Sequence, residues 1–320
     1  MEKLSAMNLV KFTEQFPDEE SCKAKIKEVR DKSGVVCSKC GGRAHYWKKD
    51  KEMYQCKKCG FLTSLKIGTV MHKSKLPFHY WLLAFHLVTA TKKGFSSKEM
   101  QRQLGHKRYQ PIWHMMHKIR ACMGKRDDSY VLCGCMELDE GFFSVEVPQE
   151  EKDKPRKRGR GSQSKAAVLV MIENEPDEEH PTKGKGRKVG YLKMKVIPNL
   201  QSETITREVK EHISYQSHLD TDDSTSYTDF STVVAEHHPV KVENKKEVGN
   251  IFPWVHIAIA NAKRWIINNC HDIKREFLQF YLNEFCYKFN RRYFGERIFD
   301  RLLISAVSYK NDWVHIRIYV

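Results

Sequence analysis

Apolar and polar positions are most regular in the middle of the chain. Met136–Val147 (MELDEGFFSVEV), the run AAVLVMI from Ala166 and the run YLKMKVI from Tyr191 each have the length and apolar content of a strand. The segments between them, KDKPRKRGRGSQSK and ENEPDEEHPTKGKGRK, are polar and hold Gly and Pro, so the three runs read as consecutive hairpin-linked strands. LQSETITREVKEHI then places Ile205, Val209 and Ile213 on one helical face, with Ser202 as the expected N-cap. SHLDTDDSTSYTDFSTVV reads as a fourth strand ending in carboxylates, followed by a helical turn. Beyond Ile251 the pattern is mostly helical, and Leu278, Tyr281, Leu282, Phe285 and Phe289 form an apolar stripe that reads as core.

Upstream, Pro77 opens a helix through FHYWLLAFHLVTATKK. Ser96 and Glu99 have capping-box spacing for a helix to Leu104, and Gly105 ends it. Pro111 then sits in the first turn of a helix that buries Ile112, Met115, Met116 and Ile119. Two helices around the basic turn GHKRY read as a helix-turn-helix. Lys107 and Arg108 in the turn, and Tyr109, Gln110, His114 and Lys118 on the second helix, are the residues expected to meet a DNA groove.

Charge strengthens that reading. Lys and Arg total 56 against 40 Asp and Glu, a net charge of +16, which calls for a polyanionic partner. No apolar run approaches the ~18 residues of a spanning helix. The stretch MEKLSAMNLVKF lacks the apolar core of a signal peptide, so a cytoplasmic protein with no membrane partner is expected. The Gly-rich run holding Arg156, Arg158 and Arg160 is expected to track a phosphate backbone.

Of the ten cysteines, Cys37, Cys40, Cys56 and Cys59 form two C-x-x-C pairs, each followed by Gly, with a hairpin-like segment HYWKKDKEMYQC between them. Each knuckle supplies two thiolates from one turn, and four soft ligands complete a closed tetrahedral Zn²⁺ site that organises structure and does not catalyse. Cys22, Cys122, Cys133, Cys135, Cys270 and Cys286 are expected as core residues.

One feature of the strand pattern resists this account: Asp139 and Glu140 stand in the middle of a strand. Three antiparallel strands, a helix, a fourth strand ending in acids and then helices make the order of a ribonuclease H-type α/β sandwich, whose first strand lies centrally. An acid in mid-strand 1 and another at the end of strand 4 would then lie close enough to share divalent cations for phosphoryl transfer.

With these motifs in order over residues 8–300, the chain resembles the zinc-ribbon DDE transposases of bacterial insertion sequences, a group related to the eukaryotic Merlin transposons. The likeness rests on the ribbon followed by IGTVMHKSKLPFHYWLLAFHLV, then GFSSKEMQRQLGHKRYQPIWHMMHKIR, MELDEGFF, TDDSTSY and YLNEFCYKFNRR. It implies a multidomain α+β protein in four parts: an N-terminal helical segment (1–30), a zinc ribbon (31–70), a helix-turn-helix region (71–127) and a ribonuclease H-like catalytic domain with a mixed five-stranded sheet and flanking helices (130–310). It also implies Mg²⁺ or Mn²⁺ as catalytic metal, and double-stranded DNA, both transposon ends and target, as partner. A homodimer or higher oligomer in the active complex and a bacterial, nucleoid-associated location follow from the same likeness.

By position, the family's first acid falls on Asp139 and its second on Asp222, with Asp223 as the alternative. Where many relatives carry a Glu seven residues before a helical Lys, this chain has His256 before Lys263. Residues i and i+7 share a helix face, which favours His256 as the third site residue, and Asn261 stays open beside it. Asp139 and Asp222 are the expected metal ligands, and Lys263 the expected phosphate contact.

Overall fold

The computed structural model describes residues 7–308 apart from 154, 156, 158, 160–161, 180–185, 228, 242–251 and 271. These fall into two compact units: the described residues up to Met123 together with those from Arg291 on, and Gly124–Asn290.

In the first unit, α1 (Leu9–Gln15) and α2 (Glu19–Ser33) precede a three-stranded antiparallel sheet of β1 (His45–Lys48), β2 (Met53–Cys56) and β3 (Leu62–Ser64). Three helices follow, α3 (Phe78–Ala90), α4 (Ser97–Gln103) and α5 (Tyr109–Asp128), the last of which runs on past Met123 into the second unit. Helix α2 starts at a capping box between Asp18 and Ser21 and buries Cys22, Ile26 and Val29 at helical spacing. The box expected at α4 is half made: Ser96 accepts from the Glu99 amide, while the Glu99 carboxylate turns to Arg102 and Gln103.

Helix α3 has no side-chain cap of its own. The Glu19 carboxylate, from the start of α2, accepts from the Phe78 and His79 amides at 2.8 Å each. Among the described residues no helix is long and apolar enough to cross a membrane.

The second unit is a five-stranded mixed sheet in the order β6-β5-β4-β7-β8, formed by β4 (Cys135–Ser144), β5 (Lys165–Pro176), β6 (Arg187–Ile197), β7 (His218–Asp222) and β8 (Glu236–Val240). β4, β5 and β6 pair antiparallel, as hairpin-linked runs should, and β7 and β8 add in parallel on the other side of β4. The strand with the acid pair is therefore central. Helix α6 (Ser202–His212) covers one face, where Met136, Leu138, Leu169 and Met171 meet Ile205 and Val209. Helices α7 (Pro253–Asn269) and α8 (Arg275–Asn290) cover the other, where Phe143, Val168 and Val170 meet Val255, Ile259, Leu282 and Phe285.

Several expectations need correction. Ser202 is the first helical residue of α6 and not its cap; Gln201 holds that position, and the Ser202 hydroxyl donates to Asp229 at 2.8 Å. Cys133 is exposed and Cys135 half-buried, so neither is a core thiol as Cys22, Cys122 and Cys286 are. The C-terminal end of the expected 130–310 domain also departs. Helix α9 (Arg297–Ser308) belongs to the first unit, with Phe299, Leu302, Leu303 and Ala306 buried and Ala306 accepting from the Val70 amide at 2.9 Å. Its strongly one-sided apolar face needs a helical surface to cover it, and α2 and α3 provide one.

Candidate active site on strand β4

The four ribbon thiols converge as their spacing predicts. Their sulfurs all lie within 4.8 Å of one another, with Cys37 and Cys59 3.6 Å apart and Cys40 and Cys56 3.6 Å apart. Gly41 and Gly60 follow the knuckles with φ of +70° and +69°, a conformation that suits glycine. A Cβ on Gly42 would stand 3.2 Å from the Cys56 sulfur, so the chain closes tightly over the site. Backbone amides, chiefly that of Cys59, face the Cys56 sulfur and draw its thiol down to about 6, which favours the thiolate that Zn²⁺ takes. This is a closed structural zinc site.

The residues expected at a DNA groove divide. Lys107, Arg108 and Gln110 are exposed, and Tyr109 is half-buried with the Lys98 ammonium 5.9 Å from its ring centre. His114 and Lys118 are not on an open face: both are buried, and the Lys118 ammonium donates to the His72 carbonyl at 2.7 Å. The reason is that α5 is buried on every side from Ile112 to Arg120, so its helical period does not reveal a free face. Arg156, Arg158 and Arg160 lie outside the described residues.

On the sheet, alternation along β4 separates the acid pair. Glu140 points toward the α6 face, where the Tyr227 hydroxyl donates to its carboxylate at 2.7 Å. Asp139 points the other way, toward α7. Glu137 on β4 is partnered with Asp220 on β7 in a parallel register, so their side chains share a face. Two residues further along each strand come Asp139 and Asp222, on that same face of neighbouring strands. Helix α7 then brings His256 over Asp139, with Nδ1 3.5 Å from Oδ2.

The helix follows the strand residue by residue. Beyond His256, Ile259 lies against Gly141, where an added Cβ would meet Phe143 at 2.9 Å and Ile259 at 3.3 Å. Lys263 sets its ammonium 5.6 Å from the Phe143 ring centre. Burial lowers the Lys263 pKa, the Lys165 charge adds to that, and Asp139 opposes it. Asn261 is placed differently: its side-chain oxygen accepts from Arg264 at 2.7 Å. Of the two residues left open for the third position, His256 is the one brought to Asp139.

Two buried polar atoms here lack hydrogen-bond partners, Oδ1 of Asp222 and Nε2 of His256. A bound ion or a water on this face would give both atoms a partner. Burial lowers the His256 pKa, against the pull of Asp222, and so favours the neutral imidazole that metals bind. The two carboxylates suit Mg²⁺ or Mn²⁺, and the imidazole is a weaker donor than a carboxylate to the harder Mg²⁺. The donors do not gather as tightly as the ribbon thiols. Among the described residues the other three-donor group within 4.8 Å is Glu208, Glu211 and His212 on α6.

Glu137 is the residue that reading the strand overlooked. It is fully buried, and its Oε2 accepts from the amides of Trp254 and Val255 at 2.8 Å each. Its Oε1 accepts from Asn174 Nδ2 at 2.5 Å. Burial pushes its pKa up to about 7, opposed by the two amides and by Arg187. A signal was present in the sequence: Glu137 shares a strand face with Asp139, in a segment already too acidic for a core strand.

A closed Cys₄ ribbon and a ribonuclease H-like sheet with acids on its central strand define a DDE-type transposase architecture. Residues 131–290, half of the chain, match the ISXO2-like transposase domain, and residues 17–61 match the Transposase zinc-ribbon domain. The chain belongs to this transposase family. No curated protein matches it. Among solved structures, a Mos1 transposase paired-end complex with left transposon end is similar at 12% identity and a TM-score of 0.29, over 75% of this chain and 82% of that one. A pre-cleavage Mos1 transpososome gives 10% identity and 0.23 over 74% and 82%.

Proposed function

We propose that this transposase binds the ends of an insertion sequence, cleaves the DNA there and joins the freed 3′-hydroxyls to target DNA. The reading is supported by the common face of β4, β7 and α7: Asp139 and Asp222 stand on that face of neighbouring strands, His256 Nδ1 lies 3.5 Å from Asp139, and Oδ1 of Asp222 and Nε2 of His256 have no hydrogen-bond partner. Asp139 and Asp222 would hold Mg²⁺ or Mn²⁺, with His256 standing where many relatives place an acid. The bound cations would lower the pKa of the attacking hydroxyl and steady the leaving oxygen. Lys263, on the same face of α7, meets a non-bridging phosphate oxygen and offsets its developing charge.

Lys107, Arg108 and Gln110, with the general positive charge, hold the duplex. Joining two ends to one target requires at least two copies in the active assembly.

The test is cleavage of a duplex carrying the element's own terminal repeats, with and without Mg²⁺ or Mn²⁺. Wild type should cut and then join the ends to a target plasmid, and Asp139→Ala or Asp222→Ala should each lower the rate on the order of a thousandfold. Unchanged cleavage in either variant refutes the catalytic reading. Cutting of branched DNA without joining would indicate a resolvase instead. Binding without any cutting would indicate a regulator. Affinity for the ends should fall steeply as salt rises from about 50 to 200 mM, and a flat response would count against the DNA reading.

A further inference from the structure

Helix α7 carries His256 and Lys263, yet it cannot fix its own starting point. Its N-cap position is Phe252, which offers no capping side chain, and Pro253 follows as the first helical residue. The next two amides, of Trp254 and Val255, would be orphan donors in a buried place. Both end on a single oxygen of Glu137, a residue of the neighbouring strand. The other Glu137 oxygen is held by Asn174, which is itself buried beside a register shift in β5. The carboxylate is thus fixed on both sides, and it stands two residues before Asp139 on the same face of the same strand.

We infer that Glu137 is a positioning residue: it pins the first turn of α7 to β4 and so sets the distance between His256 and Asp139. The inference rests on the reading of that pair as metal ligands. His256 lies one residue after the second pinned amide, so any slip of the helix start moves the imidazole directly. Further along, the close approach at Gly141 keeps the helix seated against the strand. A ligand pair needs its geometry held within about 0.5 Å, and one buried side chain accepting from both amides of the adjoining turn is the local means of doing so.

The conservative variant has a specific expectation. In Glu137→Gln one side-chain oxygen still accepts from both helix amides. The new NH₂ group needs an acceptor, and the Asn174 Oδ1, which has no partner, supplies one if that amide turns over. Glu137→Ala leaves the two amides unpaired and frees the helix start.

The experiment titrates Mn²⁺ into the full chain by electron paramagnetic resonance, without DNA, for wild type, Glu137→Gln, Glu137→Ala, His256→Ala and the Glu137→Ala/His256→Ala double variant. Thermal unfolding and duplex affinity are measured in parallel. Glu137→Ala should bind Mn²⁺ about tenfold more weakly with its DNA affinity unchanged, and Glu137→Gln should recover most of that loss. In the His256→Ala background the Glu137→Ala change should add little, because both act through one imidazole. If Glu137→Ala unfolds the sheet, the Glu137→Gln and His256→Ala comparison still decides: a loss in Glu137→Gln larger than that of His256→Ala overturns the inference. Wild-type Mn²⁺ affinity retained in folded Glu137→Ala overturns it too, as do losses that multiply in the double variant. Wild type that binds no Mn²⁺ defeats the metal reading itself, an outcome separate from these.

Discussion

The ribbon and the acid-bearing face of the sheet assemble donors in opposite ways. The ribbon draws all four sulfurs from one stretch, residues 37–59, and brings every pair within 4.8 Å. The sheet face draws on three elements from Asp139 to His256, and its acid–imidazole pair closes to 3.5 Å. A knuckle's turn sets its ligands by local backbone geometry, with glycines at φ near +70°. The sheet site inherits its geometry from strand register and from the seating of one helix. Local sites should therefore fail locally, and assembled sites should respond to changes that touch no ligand.

The largest effect expected is on the ribbon. Removing Zn²⁺ with a strong chelator, or replacing Cys56 by Ser, should forfeit on the order of 10 kcal/mol of metal-linked folding energy. Hydrogen exchange should then show β1–β3 opening while β4–β6 keep their protection; simultaneous loss in the sheet would break the contrast. Next comes His256→Ala, which should slow cleavage on the order of a hundredfold, whereas Asn261→Ala should stay near wild type. Equal losses in a side-by-side rate assay would mean that α7 presents a different face to the DNA.

Gly141→Ala touches no proposed ligand, yet its Cβ would crowd Phe143 at 2.9 Å and Ile259 at 3.3 Å. It should cost about 2 kcal/mol in urea unfolding of the sheet unit and raise the metal concentration needed for cleavage. Loss of stability with an unchanged metal requirement would show that helix seating does not control the site.

The smallest effect concerns Lys118. Burial, reinforced by the Lys73 charge, lowers its pKa to about 8 from the ordinary 10.5. The unfolded chain then holds more protons than the folded one between these values. Stability should accordingly rise as pH goes from 8 to 10.5 and be lost again as pH falls back through 8. The rise should be absent from Lys118→Met; equal pH slopes in the two proteins would place this ammonium in water.

Strand order shows how far local patterns reach. The three antiparallel strands were legible because each run is apolar and their connections are polar, and those connections force hairpin pairing. The pattern also showed that α5 buries Ile112, Met115, Met116 and Ile119, but not that His114 and Lys118 are buried too, since amphipathic periodicity cannot report a second covered side. The error at Ser202 has a similar source: a good capping residue lost the position to Gln201, and its hydroxyl was taken by Asp229. Glu19 and Glu137 escaped notice for one shared reason. Each caps a helix far along the chain that has no side-chain cap of its own, and nothing near that helix names the donor's partner.

What the residues alone determined is whatever depends on near neighbours: a four-thiolate knuckle pair, the strand and helix periods, and an acid where a strand should be apolar. Backbone geometry and side-chain chemistry act over a few residues, so such features survive without knowledge of the rest. Tertiary structure decided which way each acid faces and which of His256 and Asn261 meets Asp139. It also decided that a buried glutamate sets the start of the helix between them. These depend on register and packing between segments far apart in the chain, where a shift of one residue turns a side chain to the opposite face.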